Sequence, residues 1–296
     1  MKVNKIRMRE TVISYAFLAP VLFFFVIFVL APMVMGFITS FFNYSMTKFE
    51  FVGLDNYIRM FKDPVFTKSL INTVILVIGS VPVVVLFSLF VASQTYHQNV
   101  IARSFYRFVF FLPVVTGSVA VTVVWKWIYD PLSGILNFVL KSSHIISQNI
   151  SWLGDKNWAL MAIMIILLTT SVGQPIILYN IAAMGNIDNS LVEAARVDGA
   201  TEFQVFWKIK WPSLLPTTLY IAIITTINSF QCFALIQLLT SGGPNYSTST
   251  LMYYLYEKAF QLTEYGYANT IGVFLAVMIA IVSFVQFKVL GNDVEY

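Results

Sequence analysis

Runs of apolar residues divide this chain, and its charged residues are confined to the gaps between them. A helix that crosses the hydrocarbon core of a bilayer needs about 20 mostly apolar residues. Stretches of at least about 18 residues free of Asp, Glu, Lys and Arg therefore mark candidate spans. Six occur, at residues 11–47, 69–102, 108–125, 157–187, 211–256 and 265–287. The fifth is too long for one span, but the turn-forming string Ser241, Gly242, Gly243, Pro244, Asn245 predicts that its helix ends near Thr240. The pattern predicts an all-α, polytopic membrane protein with six transmembrane helices.

Lys2, Lys5, Arg7 and Arg9 precede the first apolar run, as in a secretory signal peptide. That run far exceeds the roughly 7 to 15 residues of a signal h-region, so it reads as an uncleaved anchor and as helix one. Six spans put both termini on one side. The four basic residues among the first ten place that side in the cytoplasm by the positive-inside rule. The remaining Lys and Arg add little, with ten inside against eight outside in total. Segments 95–107 and 184–212 then lie inside, and 48–68, 126–157 and 241–264 outside. The expected organisation is a cytoplasmic tail (1–10), a transmembrane domain (11–290) and a second cytoplasmic tail (291–296).

Composition agrees with a bilayer as solvent. Of the 296 residues, 58% are hydrophobic and only 11% charged, against roughly 25% charged in soluble domains. Twenty-seven Phe, 15 Tyr and 6 Trp suit lipid-facing surfaces and interfacial belts. The net charge of +4 is small and its Lys and Arg are scattered between apolar runs, so there is no nucleic-acid face. The single cysteine, Cys232, allows neither a disulfide framework nor a thiolate metal site.

Ion-driven carriers usually place titratable groups at membrane depth. The six stretches hold essentially none: Arg107 falls at the cytoplasmic start of helix three, and His97 in the loop after helix two. Sodium coupling through carbonyls and hydroxyls stays open, since it needs no formal charge. No G-x-x-x-x-G-K-[ST] phosphate cradle, catalytic constellation or metal-spaced cluster occurs. Active transport would therefore draw its energy from a partner.

The 184–212 segment is unusually structured for a membrane loop. Ser190 with Glu193, and Thr201 with Gln204, fit capping boxes and predict two helix starts. Gly199 is placed as the left-handed C-cap of the first helix, and Pro212 as the end of the second. Ala194, Ala195 and Ala200 keep the first helix narrow enough to enter a groove on another protein, with Glu193, Arg196 and Asp198 as polar contacts. Alternatively, Phe203, Phe206, Trp207 and Trp211 lay an amphipathic connector on the membrane surface.

The string Glu193-Ala194-Ala195-Arg196-Val197-Asp198-Gly199-Ala200, followed by Ile209, Pro212, Leu215 and Pro216, resembles the EAA loop of binding-protein-dependent ABC importer permeases. Leu239 to Pro244 with Thr248 and the 253–260 segment, Gly53 to Tyr57, and Trp125 to Asp130 resemble the maltose-type carbohydrate subgroup. The resemblance covers residues 10–290, without the extra N-terminal spans and large extracytoplasmic insertion of the longer maltose-type subunits. It implies an ABC type I importer permease fold and a transport subunit without an ATP site, in the plasma (inner) membrane of a prokaryote. The partners it implies are a second homologous permease, two cytoplasmic ATP-binding subunits that carry ATP and Mg, and an extracellular solute-binding protein. Glu193, Ala194, Ala195, Asp198 and Gly199 would be the positions that contact an ATPase. The implied cargo is a sugar, with an oligosaccharide the natural expectation. Other small solutes, or an ion-coupled carrier, are the alternatives.

A sugar needs hydrogen-bonding side chains and aromatic surface, since unpaired hydroxyls in a dry channel cost about 1 to 3 kcal/mol each. Thr225, Asn228, Ser229 and Cys232 follow i, i+3, i+4, i+7 spacing on helix five, with Phe230 and Gln231 nearby. Thr169, Thr170, Gly173 and Gln174 lie at similar depth on helix four. The equivalent parts of both helices line the cavity in the resembling family. Small polar residues in membrane helices also serve packing, and that role is expected for Asn72 and Thr73 on helix two. The Gly242-Gly243-Pro244 turn either faces the binding protein or is simply a turn.

Overall fold

The computed structural model describes residues 2–96, 98–180 and 187–291. His97, the first three residues of the expected 184–212 loop and the tail from residue 292 lie outside the described residues. In chain order the elements are α1 (Lys2–Phe25), a π-helical turn (Val26–Leu30), α2 (Ala31–Thr39), β1 (Phe42–Tyr44), β2 (Phe49–Phe51), α3 (Asp55–Lys62) and α4 (Pro64–Tyr96). They continue with α5 (Val100–Val115), α6 (Ser118–Ile128), α7 (Ile135–Ser142), α8 (Ala159–Ser171), α9 (Gly173–Leu178), α10 (Asn189–Val197) and α11 (Glu202–Val205). A π turn (Phe206–Lys210) leads to α12 (Trp211–Phe230), then α13 (Ala234–Leu239), α14 (Leu251–Tyr256), a further π turn (Glu257–Gln261) and α15 (Tyr265–Leu290).

Among the described residues, five helical stretches are long and apolar enough to cross a membrane, and a sixth arises if α5 and α6 form one broken span. With that broken span counted, the six expected spans are present, and two differ in form. Helix three is bent by 100° between α5 and α6. Pro113 lies inside α5 just before the bend, and Gly117 caps α6. Its start is also earlier than expected, because Asn99 accepts a hydrogen bond from the Ala102 amide at 2.8 Å and opens the helix at Val100. Arg107 therefore sits two turns inside the helix rather than at its start. Helix five ends at Phe230, not near Thr240; Gln231 to Phe233 break it before α13 begins. Pro212 does not end the preceding helix. The π turn ahead of it is closed by the Trp211 amide on the Phe206 carbonyl, and Pro212 follows it without interrupting the helical run Glu202–Phe230. The fold also contains a short antiparallel hairpin, with Phe42 opposite Phe51 and Tyr44 opposite Phe49.

The chain forms two compact units, one from Met1–Lys62 with Leu255–Phe274 and one from Asp63–Tyr254 with Leu275–Tyr296. In the first, the apolar residues of the 11–39 stretch are outward-facing. The Asn56 amide ties the end of α2 to the hairpin by donating to the Ser40 and Phe42 carbonyls, both at 2.9 Å. Asn269 donates to the Thr39 hydroxyl at 2.7 Å.

In the second unit α4 is the central element, packed against α8, α9 and α12. Between apolar helices in lipid, close approach and interhelical hydrogen bonds replace the hydrophobic effect as the source of association. The small polar residues of α4 act in this way. Ser80 meets Ser229 of α12 at 2.7 Å, and Ser69 meets Ser249 at 2.8 Å. Asn72 donates to the carbonyls of Tyr246 and Ser249, and Thr73 accepts from the Leu251 amide. An apolar cluster gathers Leu76, Tyr129, Ile163, Ile166, Ile236 and Tyr253, all buried.

Candidate functional site: a polar cleft and an exposed helical loop

Two features of the second unit carry the sequence-predicted residues. The first is a cleft of about 170 Å³ between the α8–α9 segment and α12. Thr170, Ser171 and Gln174 form one wall, Tyr220, Thr225 and Asn228 the other, and Val114 of α5 closes one end. A neighbouring cleft of about 300 Å³ lies at the bend of helix three, where Thr116 and Ser118 face Gln231 and Cys232. Thr170 and Val114 line both clefts. Among the described residues, no Asp, Glu, Lys or Arg lines either one. The side chains of Gln174, Asn228 and Gln231 are exposed and make no hydrogen bond to another described residue. They present amide donors and acceptors to whatever enters.

Of the eight expected path residues, Thr170, Gln174, Thr225 and Asn228 meet in the first cleft, and Cys232 joins Thr170 in the second. Thr169, Gly173 and Ser229 line neither. The Thr169 hydroxyl turns back to the Ile166 carbonyl at 2.8 Å. Gly173 is buried beside α5, where a Cβ would collide with the Phe110 carbonyl oxygen. Ser229 is turned towards Ser80. Cys232 does not extend the α12 face, because the helix has ended before it. Phe230 is buried and offers no aromatic surface, whereas Tyr220 does. Tyr220 stands eight residues before Asn228, so extending the polar stripe two turns towards the N-terminus finds it. Pro113 and Gly117, four residues apart in an apolar run, signal the bend that brings in Thr116 and Ser118.

The second feature is the loop from residue 187 to 210. Asp188, not Ser190, caps α10: its carboxylate accepts from the Ser190 amide at 2.8 Å, so the helix begins at Asn189. The Ser190 hydroxyl and amide hold the Asp188 carboxyl below the usual carboxylate range. Gly199 has φ +84° and closes a Schellman motif, with the Ala200 amide on the Ala195 carbonyl at 2.9 Å and the Gly199 amide on Arg196 at 3.1 Å. Thr201 and Gln204 form the expected capping box. Arg196 pairs with Glu202 across the turn at 2.7 Å and so braces the two helices against each other rather than standing free.

Val192 and Val205 are buried and seat this helical pair on the unit. Glu193, Ala194, Asp198 and Gly199 are exposed, and Ala195 is half-buried. Leu191 and Val197 are also exposed, Val197 by 87%, and give the helix an outward apolar surface that the sequence reading did not single out. From Glu202 to Phe230 the helix is continuous over 29 residues. One rigid rod therefore links the loop to the α12 wall of the cleft.

The family model for the binding-protein-dependent transport system inner membrane component matches residues 57–290. The chain is 33% identical to the lactose transport system permease protein LacF of Rhizobium radiobacter, over 93% of this chain and 92% of that protein. It is 32% identical to the multiple sugar-binding transport system permease protein MsmF of Streptococcus mutans, over 93% and 94%. It is 33% identical to the diacetylchitobiose uptake system permease protein NgcF of Streptomyces coelicolor, over 93% and 81%. A solved bacterial alginate ABC transporter, in complex with an alginate pentasaccharide-bound periplasmic protein, contains a chain of the same fold, with a TM-score of 0.80, 24% identity and 95% coverage of both chains. A six-span membrane chain with an exposed EAA-type loop at one end and a polar cleft between its helices, it belongs to the inner membrane components of binding-protein-dependent transport systems, among the carbohydrate ABC importer permeases.

Proposed function

We propose that the chain is one half of a sugar-conducting channel, paired with a second permease, fed by an extracellular solute-binding protein and driven by ATPases that dock on α10. The observation that carries the sugar reading is the cleft itself: hydroxyls, free carboxamides and the Tyr220 ring, with no charged side chain among the described residues that line it. Such a lining matches a neutral polyol. Amides and hydroxyls replace its water shell, and an aromatic ring accepts the apolar face of a pyranose. A charged solute would be left without a counter-charge, at a cost of several kcal/mol. The size class, an oligosaccharide, draws support from relatives whose names specify lactose and diacetylchitobiose.

Energy enters through α10. Its exposed face of Leu191, Ala194, Val197 and Asp198 is narrow and partly apolar, which fits a groove on a cytoplasmic ATPase. The Schellman turn and the Arg196–Glu202 pair make α10 and α11 move together, and the continuous helix from Glu202 carries that motion to Tyr220, Thr225 and Asn228. From Trp211 to Asn228 this lever spans about 25 Å. Closure of the ATPase pair would tilt the lever and open the cleft to one side of the membrane or the other. The test is uptake of labelled oligosaccharides into proteoliposomes holding the chain with its partner subunits. Uptake should need ATP and solute-binding protein. Uptake by the chain alone, driven by a sodium or proton gradient, would refute the reading.

A further inference from the structure

The segment joining α6 to α8 contains an apolar surface whose residues line neither cleft. α7 turns Leu136 and the buried Asn137 inward, while Ile135, Phe138 and Val139 face outward at i, i+3, i+4 spacing. Phe138 is 70% exposed, and Leu132 just before the helix is 90% exposed. In water this arrangement would be inside out. It is also held rigidly. Asn137 donates to the Pro131 and Ile150 carbonyls and accepts from the Ile150 amide and the Trp152 indole N–H. Asp130 accepts from the Leu132 and Ser133 amides and the Ser133 hydroxyl, fixing the turn before the helix. An open groove of about 790 Å³ runs along this face, bounded by Leu132, Ile135, Phe138 and Lys141.

Two observations identify what covers it. The neighbouring α6 also exposes apolar residues, Val119, Val123, Val124 and Trp127, and it pairs with α5 as an apolar stretch long enough to enter a bilayer. Trp125, Tyr129, Trp152 and Trp158 form a chain of ring contacts in this segment, Trp127 on α6 is exposed, and tryptophan marks the headgroup level of a bilayer. α7 carries no acidic residue, and Lys141 closes its last turn. We propose that α7 is an interfacial anchor: its outward face is seated among the phospholipids of the leaflet remote from α10, with Leu132, Ile135 and Phe138 against acyl chains and the Lys141 ammonium beside a lipid phosphate.

The test uses the full chain in nanodiscs, spin-labelled at Phe138→Cys and, separately, at Ile135→Cys. Cys232 is buried, and the wild type serves as the labelling blank. Both labels should collide several-fold more often with oxygen than with a water-soluble nickel chelate. The bias at Phe138→Cys should rise when phosphatidylglycerol replaces phosphatidylcholine, and adding Lys141→Gln should remove that rise. Preferential collision with the chelate would overturn the anchor. So would labels that become immobilised and shielded only when sugar-loaded solute-binding protein is added, which would make the face a protein-docking surface. Lipid exposure without any effect of phosphatidylglycerol or of Lys141→Gln would overturn the phosphate contact.

Discussion

Gly173 and Phe110 are fitted backbone to backbone: a Cβ on Gly173 would overlap the Phe110 carbonyl oxygen, so α5 can approach α9 only because residue 173 has no side chain. The Val114 side chain stands in the same place, and Val114 also lines the cleft. Gly173→Val should push α5 away, lower thermal stability of the purified protein and reduce transport. Gly173→Ala should show the same effects more weakly. Unchanged melting and uptake in both variants would mean that the contact is not close in the functional protein.

The cleft residues should behave oppositely. Gln174 and Asn228 have exposed side chains with no partner among the described residues, so Gln174→Ala and Asn228→Ala should leave stability unchanged. Each should raise the apparent KM for sugar by roughly two- to tenfold, as expected from about 0.5–1.5 kcal/mol per hydrogen bond. Uptake kinetics beside melting curves separate this from a folding defect.

Ser80 and Ser229 provide a packing control inside the same helices. With the hydroxyls 2.7 Å apart and both buried, the single alanine variants should lower stability without a specific change in KM. The double variant should cost less than the sum, with a coupling on the order of 0.6 kcal/mol. Additive losses would show that the two hydroxyls do not bond to each other.

The start of α10 should respond to acid. The Asp188 carboxyl is held below its ordinary value by Ser190, so its charged form stabilises the first turn above the unfolded value, about 3.9, and the contribution disappears as pH falls through the lower folded value. Hydrogen-exchange protection of the Ser190 amide should therefore decline below about pH 4. Asp188→Asn, which still caps but does not titrate, should abolish the decline.

The spans were legible because lipid imposes one rule everywhere: long apolar runs with charges only between them. What the runs do not encode is where a helix stops being straight. Helix three breaks at Thr116 and Gly117, whose backbones are extended, while Pro113 and Pro212 both stay within helical runs, the latter just after a π turn; periodicity alone does not show this. The stripe on α12 was half visible for the same reason. Asn228 and Ser229 are neighbours on the helix, yet one faces the cleft and the other faces Ser80, and only the packing of α4 decides which. Local chemistry was easier to read. Gly199, Thr201 and Gln204 act within a turn of themselves and stand where their residue types require, whereas the Asp188 cap was missed because Ser190 competes for the same role.

The measurement that bears most directly on the whole account is ATP hydrolysis by the assembled transporter in nanodiscs, with and without sugar-loaded solute-binding protein, in the wild type and in the Glu193→Ala, Gly199→Pro double variant. Stimulation is expected in the wild type and its loss in the variant, with the spans still folded, because Pro at φ +84° destroys the Schellman turn that aims α10. Full stimulation and uptake in the double variant, or the failure of any ATPase to co-purify with the chain, would contradict it.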